Sequence, residues 1–386
     1  MKATHIILRN ATRAQGGLLA RGAAVEAAPA PSIETDQISD RQAAQLSRDP
    51  DVAGVAPIMP VILVQPRSER DATAQDAGAV AWGVRAVRAD TSNFSGAGIV
   101  VAVLDTGIKA DHPAFAGVEI TSRNFTDEPD GDRHGHGTHC AGTIFGRAVQ
   151  GTRIGVAPGI SKVLIGKVLG AGGGSSDKIV EAMLWAANTG AQVISMSLGI
   201  DFPGFVKQME GTGMPTELAT SRALEAYRAN VTLFERLVGL LNAQPQPTLV
   251  VAAAGNESRR ESNPNFEVSV SPPAVAPGIV SVGALAQRAD GTLGMADFSN
   301  TGPVISGPGV NIISAGLNGG LRSMSGTSMA TPHVAGCAAL WAEALKAQGN
   351  LNQTNLFARL VGHATFAGLQ AGIDASDVGA GQVVAP

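Results

Sequence analysis

Cysteine is nearly absent: Cys140 and Cys337 are the only two in 386 residues. Two thiols cannot build a multi-bridge framework, and buried free thiols are expected in preference to a single pair. Charge is scarce too, at 16% of residues against 44% hydrophobic, with a net charge of −4. That balance excludes a disordered chain, which would carry few apolar residues and a large net charge. It also argues against a nucleic-acid partner bound by phosphate neutralisation. No apolar run reaches the roughly 18 residues needed to cross a bilayer, so no membrane partner is expected. The opening MKATHIILRNATRAQGG has only a short apolar patch, well below the roughly 7–15-residue core of a secretory signal. Either the chain stays in the cytoplasm or its leader is missing, and the compartment stays unassigned. Glycine, by contrast, is plentiful; the 48 glycines lack a three-residue period, which excludes collagen and marks many tight turns.

Two textures divide the chain. Residues 4–10 read as a strand, 11–31 give no firm signal, 39–50 read as a helix with Ser39 or Asp40 as N-cap and Pro50 as stop, and 51–64 read as extended chain. This α+β unit, 1–66, ends in a polar small-residue stretch, 67–79, read as a linker and processing region. Beyond it, in 80–386, lie the near-continuous apolar runs 98–105, 161–169, 191–199, 248–256 and 278–285. Such runs suit strands buried on both faces. Helical stretches at 176–189, 216–243 and 328–347 lie between or after them. The expectation is an α/β fold, a mostly parallel central sheet with helices on both faces, whose chemistry collects at the carboxyl ends of the strands.

Four segments carry that chemistry. VVAVLDTGI puts Asp105 at the end of a buried strand, where a carboxylate is costly unless it is used; read alone, it is a turn or capping residue. DGDRHGHGTHCAG supplies His134, His136 and His139. Hydrolysis needs one imidazole oriented by Asp105 and facing a nucleophile. A metal site would instead draw on these histidines with Asp130 or Asp132, but the spacing matches neither a two-histidine helix nor a calcium loop. VVAAAGNES ends a strand at Asn256, either a turn cap or an oxyanion donor worth about 3 kcal/mol of barrier. RSMSGTSMATPHVAG places Ser328 before a helical run, where a helix N-terminus favours developing negative charge. If that helix begins near Ser328, Pro332 closes its first turn, where a missing N–H costs little. Ser323 and Ser325 read as loop hydroxyls and His333 as structural.

In the order Asp, His, Asn, Ser, this set resembles the subtilisin-like serine peptidases, the subtilase family, from about residue 79 onward. VVAVLDTGI, GHGTHCAGT, GVAP, ISMSLG, VVAAAGN, FSNTGP, PGVNIIS, SGTSMATPHVAG and the closing GAGQVVA all take part. The resemblance implies a serine endopeptidase with Asp105, His136 and Ser328 as its triad, His139 being a structural neighbour. It implies Asn256 and the Ser328 amide as oxyanion donors. Polypeptide substrate would add as a strand between Ser197-Leu198-Gly199 and Gly172-Gly173-Gly174, with Ala252, Ala253 and Gly255 walling the specificity pocket. No cofactor is required for the chemistry. The family's calcium loop reads RAVQGTRIGVAP here, with Gln150 but no Asp, Glu or Asn, which weakens the case for structural calcium. LSRDPDVAGVAPIMPVILV is similar to the family's inhibitory propeptide, so the N-terminal unit is expected to block the cleft of a zymogen. The 200–247 insertion is expected to be mostly one amphipathic helix on the flank of the sheet. Two rival readings are weaker. GAGGGSS lacks the Lys-Ser/Thr ending of a phosphate loop, and a scaffold without turnover does not explain four filled catalytic positions.

Overall fold

The computed structural model describes residues 2–10 and 31–386, so most of the signal-free stretch 11–31 lies outside the described residues. Strands β1 (Lys2–Arg9) and β2 (Ser32–Ser39) pair antiparallel, and β3 (Val52–Pro57) covers the other edge of β1. Helix α1 (Asp40–Leu46) opens with a reciprocal cap, Ser39 accepting from the Gln42 amide while the Gln42 side chain accepts from the Ser39 amide. It ends at Leu46, short of Pro50, because Ser47 to Asp49 turn instead of continuing. Two further strands follow, β4 (Pro60–Leu63) and β5 (Ser68–Ala72), then the single turn α2 (Ala74–Ala77). The stretch read as a linker is therefore ordered over most of its length.

The remainder opens with α3 (Trp82–Ala86), β6 (Val100–Asp105), β7 (Glu119–Asn124), α4 (His136–Phe145), β8 (Lys162–Lys167) and β9 (Gly174–Ser175). Next come α5 (Ser176–Asn188), β10 (Val193–Met196), β11 (Leu198–Ile200), α6 (Phe202–Gly211), α7 (Thr216–Asn242), β12 (Leu249–Ala253) and β13 (Ile279–Gln287). It closes with β14 (Leu293–Met295), β15 (Ile305–Pro308), β16 (Ile312–Ala315), β17 (Leu321–Ser325), α8 (Thr327–Ala347), α9 (Gln353–Gly362) and the single turn α10 (Ala375–Val378). Eight strands form the central sheet in the order β14-β13-β12-β10-β6-β8-β7, with β15 also on β13, and only β14 runs antiparallel.

Alternation along the strands explains the apolar runs. In β6, Val101 and Val103 face a core shared with α4 and α8. Ala102 and Leu104 face a second core shared with α5 and α7. Both faces are buried, so each strand favours apolar residues at every position.

The insertion holds the long helix expected of it, α7, and a second helix, α6, besides. The chain breaks between them at Gly213 (φ +88°) and Pro215. Leu224 points to solvent, while Ala226, Leu233, Phe234, Leu237 and Leu241 face inward. Asn230, fully buried on that face, donates to the Pro57 carbonyl at the end of β3 at 2.8 Å. Ile6 and Leu8 of β1 join the same core. The insertion thus packs against the N-terminal unit as well as the sheet.

Candidate active site

Asp105 closes β6 and His136 opens α4, and both are buried. Their side chains meet at 2.8 Å between Oδ1 and Nδ1. Gly137 makes the approach possible, since a Cβ there would lie 2.2 Å from the Gly107 carbonyl oxygen. Asp132 holds the turn before α4. Its carboxylate accepts from the amides of His134, Gly135 and Thr138 and from the hydroxyls of Thr106 and Thr138. Burial works against its ionisation, yet these donors outweigh it and lower its pKa. The sequence reading missed this scaffold role and considered Asp132 only as a metal ligand.

Burial alone would disfavour a charged His136 ring. The Asp105 carboxylate, the neighbouring Cys140 sulfur and their hydrogen bonds together outweigh burial and raise its pKa well above the ordinary value. His136 Nε2 is buried and has no hydrogen-bond partner among the described residues. His134 is exposed. His139 is buried against the Ile312 and Arg322 carbonyls at 2.9 and 3.1 Å, and burial lowers its pKa to about 3. Cys140 and Cys337 are both free and buried, and burial raises both thiol pKa values.

Ser328 is the second residue of α8, so that the helix N-terminus lies behind it. Its neighbourhood includes the His136 pair, because Cys140 Sγ lies 3.8 Å from His136 Nδ1 and 3.4 Å from the Ser328 carbonyl oxygen. The helix starts at Thr327, which makes Pro332 its sixth residue, beyond the turn expected from sequence. Pro332 leaves the Ser328 carbonyl without its helical donor. The Ser197 hydroxyl at 3.2 Å and the Cys140 thiol replace it. The Asn256 side chain is oriented by Thr327, whose amide and hydroxyl donate to Oδ1 at 2.8 and 2.9 Å. The amide nitrogen therefore faces the cleft. Gly326 leaves it room, since a Cβ there would sit 3.0 Å from Asn256 Nδ2.

The chain's own segment lies in this cleft. β4 pairs antiparallel with β11 (Leu63 with Leu198, Ile62 with Gly199) and with β9 (Val61 with Gly174). At Gly173 a Cβ would fall 2.5 Å from the Val61 carbonyl oxygen, whereas Gly172 borders open space. The Val64 amide donates to the Ser197 carbonyl at 3.4 Å. The Ser328 hydroxyl donates to the Val64 carbonyl at 2.9 Å, while Asn256 Nδ2 donates to the next one, Gln65, at 2.8 Å. Ala252 and Ala253 end β12, fully buried, and the Gly255 amide donates to Thr327 Oγ1 at 3.2 Å.

Among the described residues, one cluster holds three potential metal-binding side chains: Asp105, His136 and Cys140. Asp105 and His136 already bind each other there. Gln150 stands exposed at a turn between Val149 and Thr152.

The subtilase family model (peptidase S8) matches residues 96–381. Over 318 residues the chain is 33% identical to the subtilisin-like serine protease Pen ch 13 of Penicillium rubens, covering 78% of this chain and 66% of that protein. Over 294 residues it is 33% identical to the major intracellular serine protease of Bacillus subtilis, covering 72% of this chain and 81% of the relative. A cuticle-degrading serine protease of Arthrobotrys oligospora is 34% identical over 261 residues, with 65% and 53% covered. The chain thus spans between about half and four fifths of the length of these relatives. Together with the parallel sheet, these matches place the chain in the subtilase family.

Proposed function

We propose that the chain is a serine endopeptidase acting through an acyl-enzyme, with Asp105, His136 and Ser328 as its triad. The observation that carries this reading is the buried Asp105–His136 pair at 2.8 Å, next to a serine at a helix N-terminus. In the open cleft, His136 Nε2 takes the Ser328 proton as Oγ attacks the scissile carbonyl carbon. Asp105 fixes the ring tautomer and stabilises the imidazolium. Asn256 Nδ2 and the Ser328 amide hold the developing oxyanion. His136 then protonates the leaving amine, and water attacks the acyl-enzyme by the same steps in reverse.

Polypeptide backbone adds as a strand to β11 and β9, the positions that β4 takes in this structure. The N-terminal unit, residues 1–66, is on this reading an intramolecular inhibitor of the peptidase portion, 80–386. Its support is the occupation of the cleft by Val61 to Gln65 and of Ser328 Oγ by Val64. The family's chemistry needs no cofactor.

Incubation with a fluorophosphonate, followed by mass spectrometry of the adduct, tests this reading. An adduct on Ser328 is expected, slow in the intact chain and faster once β4 is displaced. Modification elsewhere, or none after displacement, would refute it.

A further inference from the structure

The cleft is filled on both sides of Ser328. β4 occupies the acyl side, on β11 and β9. After Val64 and Gln65 the chain crosses Ser328 and continues as β5. That strand pairs antiparallel with β17 over five residues, from Ser68 with Ser325 to Ala72 with Leu321. β17 ends three residues before Ser328, so β5 covers the side from which a leaving group departs.

The contacts there are dense. The Arg67 amide donates to the Ser325 carbonyl at 2.7 Å, and the Ser68 hydroxyl donates to Ser325 Oγ at 2.9 Å. Arg322 on β17 pairs with Glu69 at 3.1 Å and lies directly across from Asp71. β5 also stays joined to the peptidase portion whatever becomes of residues 1–64. Its rebinding is therefore intramolecular, at the high effective concentration of a short tether.

Building on the peptidase reading, we propose that β5 is a latch on the leaving-group side of the cleft. It is held on β17 by its backbone ladder and by the Arg322–Glu69 ion pair, and it slows access to Ser328 independently of β4. Displacing the N-terminal unit then opens only half of the cleft. Full access requires β5 to peel from β17, which leaves that edge free for the substrate strand that follows the cleaved bond.

The rate of fluorophosphonate labelling at Ser328 in the full chain reads the latch. Arg322→Glu and Glu69→Arg are each expected to label about threefold to fivefold faster than the unaltered chain, the range of a half-exposed ion pair. The double exchange, Glu69→Arg with Arg322→Glu, is expected to return most of the way, which general damage to β17 would not do. Val64→Asp, which puts a charge into the acyl side, serves as the reference for opening by the other route. Charge variants that label at the original rate while Val64→Asp labels faster would overturn the latch and leave the peptidase reading standing. So would a double exchange as fast as its parents. Failure of every variant to label, Val64→Asp included, would remove the peptidase reading and the latch with it.

Discussion

At Asn256 one side chain serves two neighbours. Oδ1 accepts from Thr327, and this fixes Nδ2 toward the cleft, where it holds the Gln65 carbonyl. A donor already aimed where charge develops needs no reorganisation during reaction. Asn256→Ala in the opened Val64→Asp chain is therefore expected to lower kcat about 10²- to 10³-fold with little change in KM, a range carried over from the same type of change in a subtilisin. Steady-state kinetics on a short peptide substrate check this; a fall in KM affinity alone would place Asn256 in ground-state binding. The residue types of the proposed site were legible because Asp105, His136, Asn256 and Ser328 each stand in a long motif. Their supports were less so. Asp132 acts through five donors dispersed over 106 to 138, and no short pattern encodes such a convergence. Pro332 was read correctly as tolerated, but its reason is tertiary: the carbonyl it strands is satisfied by Ser197 and Cys140, residues distant in sequence.

Among elements, legibility followed burial. The strands β6, β8, β10, β12 and β13 are buried on both faces and appear as near-continuous apolar runs. β5 is the opposite case. Its first four side chains are all exposed, and its place is fixed by backbone hydrogen bonds to β17 that any sequence without proline can make. Composition therefore made it look like a linker. β2 escaped notice likewise, with Ile38 as its only buried side chain. In the insertion, α7 lies where the helical stretch 216–243 was read, while α6 has no buried residue and so leaves no strong apolar pattern in the sequence. The expected packing of α7 on the flank of the sheet is present, but α7 also touches the N-terminal unit: Leu233 meets Gly54 of β3, where a Cβ would be only 3.0 Å from Leu233 Cδ1. Periodicity shows that a face is buried without showing against what.

The whole molecule is expected to be acid-sensitive. His139 and His333 are buried and neutral, with pKa values lowered by burial to about 3 and about 4. In the unfolded chain both take up protons near the ordinary histidine value of about 6.5. The unfolded state then binds more protons, so stability present above about pH 6.5 is lost as the pH falls toward 4. Asp132, whose pKa is lowered, acts in the same direction at more acid pH. His136 acts oppositely: its raised pKa contributes stability that is full below the unfolded value and is lost as pH rises through the folded one. Thermal unfolding of the full chain should give a lower Tm at pH 4.5 than at pH 7, with a smaller difference in His333→Gln. A Tm unchanged across this range would contradict the assignment of neutral buried rings.

The reading of the molecule depends above all on Ser328 as the attacking group, and turnover of a denatured protein such as casein tests it most directly. The opened Val64→Asp chain would be compared with the same chain carrying Ser328→Ala. The expected result is hydrolysis by the first and a rate lower by about 10⁶ in the second, the scale seen when such a nucleophile is removed. Equal hydrolysis by both chains would contradict it.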